Sequence, residues 1–244
     1  MQVLKAVTAD AFAGKSWKHP GNYLYAAGLN IIPVVAAELS KAVAHLPLAF
    51  VEFGGRWQLM AVTSLIPNTN LLVGPQGQWL GQYIPASMRG YPFALARPQG
   101  TDHLVMCTTE EGDHIVEAGQ GAPFFDASGQ PSAETQRAMN FLVEYDSSKV
   151  QTWRAIDALV AAKLLVPWEL TSSHNGVVTP VEGLYRLDDV RFGALPPKTL
   201  ASLHAEGAAM VAYAQYFSRE QFGRLQAAER EQARLRALTA APDA

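Results

Sequence analysis

Cysteine occurs once in the 244 residues, at Cys107, so no intramolecular disulfide can form and a disulfide-stapled secreted scaffold is excluded. Long hydrophobic runs are missing as well. The most apolar stretch, 23–39, is interrupted by Asn30 and Pro33 and falls short of the ~20 continuous residues that span a bilayer. No continuous apolar segment occupies the first 21 residues, which Asp10 interrupts, so a signal peptide is not expected and the chain is expected in the cytoplasm. A surplus of positive charge is absent too: 19 Lys and Arg against 22 Asp and Glu give a formal charge of −3. Nucleic-acid binding needs clustered cations to displace condensed counterions, so that partner class is excluded. Small molecules, peptides and proteins remain.

Catalytic and cofactor signatures are equally scarce. Gly14-Lys15-Ser16 ends like a phosphate-binding loop, but Ala9 stands where its first glycine belongs, and the amides then have no loop to wrap round a phosphate. The six histidines, His19, His45, His103, His114, His174 and His204, show no close ligand spacing, so no metal and no cofactor is expected. Asp102-His103 and Asp113-His114 read as loop polarity. Glu110, Glu111 and Asp113 read as solvated neighbours on a turn, and Ser147-Ser148-Lys149 as a helix kink or cap. No nucleophile elbow is present. Cys107, in the apolar run His103–Thr109, reads as a buried thiol.

What is present is an ordinary globular composition, 49% hydrophobic and 17% charged. Its organisation changes near residue 130. Before it, short apolar runs alternate with turn signals. The runs 48–53 and 57–65 flank Gly54-Gly55 and predict a hairpin, 70–74 predicts a short strand, and 93–97 with 103–108 predict a second hairpin. A short helix is expected over 36–44. The loop 119–131 carries Phe124 and Phe125, too apolar to hang free. From Ser132 the period is helical, with Met139, Leu142, Val143 and Tyr145 on one side, then Trp153, Ile156, Leu159 and Val160.

A small hairpin, 168–171 and 177–187 about Asn175-Gly176, follows. Thr199 is expected to cap a helix carrying Leu200, Leu203, Met210, Val211 and Phe217. Ser218 with Gln221 forms a capping-box pattern for a last helix with a solvated, fraying end. The expected fold is therefore α+β: an N-terminal antiparallel, barrel-like sheet packed on C-terminal helices, with a small β-hairpin. We expect one domain over 1–244 with lobes 20–118, mainly β, and 132–238, mainly α, and flexible ends at 1–19 and 239–244.

Residues 77–95 are the most informative part of the chain. They set Trp79, Tyr83, Tyr91 and Phe93 beside Arg89, with Pro85 and Pro92 between them. An arginine fork grips a carboxylate while aromatic faces stack on an apolar or ring-bearing body. The plainer reading buries Trp79 and Phe93 and pairs Arg89 with a carboxylate such as Glu52. Glu169 and Tyr185, on facing strands of the small hairpin, complete the candidate ligand-binding set Trp79, Tyr83, Arg89, Tyr91, Glu169 and Tyr185, although cross-strand pairing alone accounts for the last two. His204 and Tyr213 read as satisfied polar groups in a mostly apolar helix. With Glu169 and Tyr185 they form the one dispersed constellation on which a catalytic reading could rest.

In order along the chain stand Tyr25-Ala26-Ala27-Gly28-Leu29-Asn30 with Pro33, Leu46-Pro47-Leu48-Ala49-Phe50, Gly77-Gln78-Trp79 with Tyr83-Ile84-Pro85, and Arg89-Gly90-Tyr91-Pro92-Phe93. Leu164-Leu165-Val166-Pro167, Glu182-Gly183-Leu184-Tyr185-Arg186-Leu187-Asp188 and Leu203-His204 through Gly207 to Ala212-Tyr213-Ala214, ahead of Ser218, complete the set. This ordered set, covering most of 23–225, resembles the SapC family of bacterial proteins. The resemblance implies a link to surface-layer proteins or their export, and an accessory role beside outer-membrane uptake receptors and flavin-dependent halogenases. It supplies no catalytic residues. Residues and resemblance together favour a non-catalytic binding or accessory protein that recognises a small molecule or peptide in a cleft between the lobes. An enzyme with a dispersed site and a scaffold acting through a protein partner are the alternatives.

Overall fold

The computed structural model describes residues 4–98, 100, 103–109, 113–174 and 177–240. Its strands are β1 (Leu4–Ala6), β2 (Lys15–Trp17), β3 (Ile31–Pro33), β4 (Leu48–Phe53), β5 (Arg56–Val62), β6 (Phe93–Ala96) and β7 (Val105–Thr109). They continue with β8 (Ile115–Glu117), β9 (Ala122–Pro123), β10 (Leu165–Pro167), β11 (Leu170–His174), β12 (Val177–Val181) and β13 (Tyr185–Leu187). The helices are α1 (Ala9–Phe12), α2 (Leu39–Ala42), α3 (Ala86–Arg89), α4 (Ala133–Ala161), α5 (Asp189–Gly193), α6 (Pro197–Ala205), α7 (Ala208–Ser218) and α8 (Phe222–Ala240). The class is α+β with antiparallel pairing throughout. Among the described residues the strands form separate open sheets and none closes into a barrel. No helix among them is long and apolar enough to cross a membrane.

The chain divides into two compact units, 1–21 with 87–147 and 22–86 with 148–244. In the first, β1-β7-β6 and β8-β2-β9 are three-stranded sheets around Phe12, Trp17, Phe93, Met106, Phe124 and Leu142. Residues 4–19, expected to be flexible, therefore carry two strands and bury Phe12 and Trp17. Two large aromatics have no stable place in water once a core is available. Phe124 docks as expected and is fully buried. Cys107 is buried between β1 and β6, and burial pushes its thiol pKa up.

His114 is a core residue of this unit and not loop polarity. It is 2% exposed, and its Nε2 lies 2.8 Å from the Thr109 carbonyl and 3.0 Å from Thr108 Oγ1. A carbonyl only accepts, so Nε2 carries the proton. Burial lowers the pKa of His114 below its ordinary 6.5, against weaker opposing pulls from the Thr109 carbonyl and Asp113. The unfolded chain then binds the proton more readily than the folded one. This contribution to stability is complete above 6.5 and is lost as pH falls below it toward the folded value. Urea unfolding between about pH 7.5 and 5.5 should show stability falling with acid, and His114→Gln should flatten that slope. Equal slopes in the two proteins would remove His114 from the account. Glu110 and Glu111 lie outside the described residues.

The second unit is built on the five-stranded sheet β10-β13-β4-β5-β3, and β11 and β12 form a separate ribbon. The β4–β5 hairpin forms where expected, because Gly54 and Gly55 adopt φ of 60° and 75°, as a tight turn between twisted strands requires. The single hairpin expected over 168–187 is instead split: β13 pairs with β10 within the five-stranded sheet, and β11 pairs with β12 as the ribbon; the Asn175-Gly176 turn lies outside the described residues. The stretch 70–74 is not a strand but makes one isolated bridge, Val73 to Trp79. Gln232 of α8 explains the difference. It is 4% exposed, and its Nε2 donates to the carbonyls of Asn70 (2.9 Å) and Val73 (2.6 Å), groups a sheet would otherwise satisfy. The helix expected to fray is thus pinned through Gln232 and the buried Leu225. Residues 241–244 of the expected flexible end lie outside the described residues.

α4 is one helix, with Ile156 and Leu159 fully buried, whereas Val143 is 44% exposed. The Ser147-Ser148-Lys149 cluster lies inside this unbroken helix and caps neither of its ends. Ser148 and Thr152 instead turn their hydroxyls to another segment, accepting the N–H of Ala37 (3.0 Å) and of Ala36 (2.8 Å). The helix expected from Thr199 is two, α6 and α7, with the chain turning at Glu206-Gly207. Thr199 lies inside α6, which Pro196-Pro197 begin. Ser218 is not a capping box either. Its fully buried hydroxyl donates to Gln215 O and accepts the N–H of Leu48.

Candidate ligand cavity

A cavity of about 590 Å³ opens in the first unit. Four segments distant in sequence build it, the shortest of them Gly121-Ala122. Strand β2 delivers Trp17, and Lys18 and His19 follow it. The end of α3 delivers Arg89, and β6 opens with Phe93. The first turns of α4 present Glu134, Arg137, Ala138 and Phe141, one helix face at i, i+3, i+4 and i+7. That face is oriented at its start by Ser132, whose hydroxyl accepts the N–H of Thr135 at 3.1 Å as a helix cap.

The aromatic wall is held rigidly. Trp17 Nε1 donates to the buried Thr135 Oγ1 at 3.1 Å, and its ring meets Phe93 edge-on at 4.8 Å and His19 at 5.2 Å. Gly121 lets a second chain segment run against it: a Cβ there would lie 2.4 Å from the Trp17 carbonyl. Around the mouth stand Lys18, Arg89 and Arg137. The Arg89 guanidinium lies over the Phe141 ring at 5.2 Å, and Arg137 bonds Glu134 at 2.7 Å. Among the described residues lining the cavity, three cations stand with one carboxylate, and an apolar floor lies beneath. Such a site holds an anionic head while burying an uncharged body.

The six residues singled out from the sequence are not all here. Arg89 lines the cavity. Tyr91, half-buried in the same unit, sets its ring 6.2 Å from His114. Trp79 and Tyr83 belong to the second unit and have structural tasks: Trp79 Nε1 donates to the Tyr83 carbonyl (3.1 Å), and the Tyr83 hydroxyl to Glu38 Oε2 (2.7 Å). Tyr185 stacks edge-on against Trp57 at 4.7 Å, and Glu169 is exposed beside a smaller cleft.

His204 and Tyr213 are not core groups. His204 is exposed on α6, and Tyr213, 48% exposed, packs against Phe192 and Phe217. No hydrogen bond or ring contact joins any two of Glu169, Tyr185, His204 and Tyr213. Nor do the described residues gather three His, Cys, Asp or Glu side chains as a metal-ligand set. Trp17, Arg137 and Phe141 were missed as site residues. The helix-face spacing of Glu134, Arg137, Ala138 and Phe141 was the available signal; nothing local marked Trp17.

Fold and cavity define an α+β protein with an aromatic-walled, cation-rimmed cavity. The chain belongs to the SapC family, whose model matches residues 7–225. No curated protein and no solved structure matches it.

Proposed function

We propose that the protein is a non-catalytic binding protein that holds a small, largely apolar carboxylate in the cavity of its first unit. The observation that carries this reading is one cavity combining the buried Trp17–Phe93 pair with Lys18, Arg89 and Arg137. Its volume suits a small molecule better than a peptide. Membership of the SapC family supports an accessory role, tied to surface-layer, export or outer-membrane uptake systems, and we place the protein in the cytoplasm. A protein partner is the second reading. The outward face of α7 favours it, with Met210 53% and Phe217 61% exposed.

Thermal shift with 2-naphthoate and its neutral amide tests the proposal. A ligand at about a hundred times its dissociation constant adds roughly 2.7 kcal/mol, a readily visible shift. The carboxylate should stabilise the protein and the amide should do so far less. Arg89→Ala should weaken carboxylate binding by about 1.5–3 kcal/mol, roughly 10- to 100-fold. No shift with any apolar carboxylate would refute the reading.

A further inference from the structure

The two outer edges of the β11–β12 ribbon differ in chemistry. Two residues separate His174 from Val177, so this register pair exchanges hydrogen bonds, and alternation makes Ser172–Thr179 and Leu170–Val181 the next such pairs. Thr171 and Pro180 then face each other without exchanging bonds, and their backbone groups point outward. On the β12 edge one of the outward positions is Pro180, which has no N–H to offer an incoming strand, and only Val178 remains to donate there. The position facing Pro180 on the β11 edge is Thr171, with both an N–H and a C=O. Among the described residues no strand but β12 pairs with β11.

Along that open edge lies a cleft of about 420 Å³, with Leu65, Phe222 and Leu225 on its apolar side. Glu169 and Glu229 also line it, and no Lys or Arg does. We propose that this cleft takes an extended peptide segment, which adds to β11 as a further strand and presents Lys or Arg to Glu169 and Glu229. Phe222, Leu225 and Glu229 share one face of α8, at i, i+3 and i+7, so the wall facing β11 is apolar and carries a carboxylate; a segment that mixes basic and apolar residues meets both, while Thr171 supplies main-chain bonds. Charge decides between occupants. An acidic segment is repelled, and a second copy of this edge would bring its own Glu169 against the two glutamates already there. This site is separate from the carboxylate cavity and goes beyond that function.

The test is fluorescence anisotropy of a labelled, acetylated hexapeptide alternating Lys and Val, titrated with the full chain. Saturable binding is expected, weakening as salt rises. Thr171→Pro should reduce affinity about tenfold or more, and it spares the β11–β12 ladder because that N–H is not used there. Glu169→Lys with Glu229→Lys, both at exposed positions, should do the same without touching the backbone. The counterpart with Glu for Lys should not bind. Equal binding of the acidic peptide, no saturable binding, or binding unchanged in both variants would overturn the proposal. So would self-association of the chain that Thr171→Pro abolishes, which would give the edge to a second copy.

Discussion

Replacing Gln215 by alanine should destabilise the protein by about 3–4 kcal/mol, the largest single effect we expect. Its side chain is fully buried, with Oε1 accepting the N–H of Leu187 at 2.9 Å and Nε2 donating to the carbonyl of Leu48 at 3.1 Å. Those groups belong to β13 and β4, strands whose register is a single pair, Tyr185 with Phe50. Gln215 thus satisfies ladder positions that the sheet leaves open. Removing it strands a buried donor and a buried acceptor, at about 1–3 kcal/mol each, and leaves a void. Gln215→Met keeps the volume and should still cost about 2 kcal/mol or more, by urea unfolding. A loss well under 1 kcal/mol for Gln215→Met would mean the two backbone groups find other partners.

Glu38→Ala should come next, at about 3 kcal/mol. Glu38 is 5% exposed, a rare place for a carboxylate, and it gathers three donors. Oε1 accepts the N–H of Val35 at 3.0 Å; Oε2 accepts the Tyr83 hydroxyl and the Ala86 N–H, each at 2.7 Å. Together with Thr152 and Ser148 on Ala36 and Ala37, it satisfies the amides that open the short helical segment ahead of α2. Glu38→Gln should not rescue the loss. Either orientation of the amide sets its NH2 against a backbone N–H, that of Val35 or that of Ala86. A Glu38→Gln protein as stable as wild type in urea would contradict this arrangement.

Both residues show which features were legible in the sequence and which were not. Gly54-Gly55 announced its hairpin because the requirement for positive φ is local, and the period of α4 announced its helix for the same reason. Ser218 and Gln221 matched a capping box just as locally, yet the Ser218 hydroxyl is taken by Leu48, 170 residues away. Gln215 and Glu38 look unremarkable in sequence because their partners are backbone groups of distant segments. The candidate site divides in the same way. Arg89 was visible among its aromatics. Trp17 was not, since its fixing partner Thr135 is 118 positions along. Tyr83 was visible for the wrong reason: a tyrosine among aromatics and prolines reads as a ligand wall, whereas its hydroxyl holds Glu38. The first nineteen residues, with no continuous apolar run, gave no sign that Phe12 and Trp17 close a core.

The most direct test of the central claim is an NMR titration of the five tryptophan indole N–H resonances with 2-naphthoate. Trp17 alone among the tryptophans lines the cation-rimmed cavity, and its indole N–H is bonded to Thr135. Our account predicts that one indole resonance moves in a saturable way, that it disappears in Trp17→Phe, and that its shift shrinks in Arg89→Ala. An unmoved Trp17 resonance at millimolar naphthoate, or a shift confined to Trp57, Trp79, Trp153 or Trp168, would contradict it.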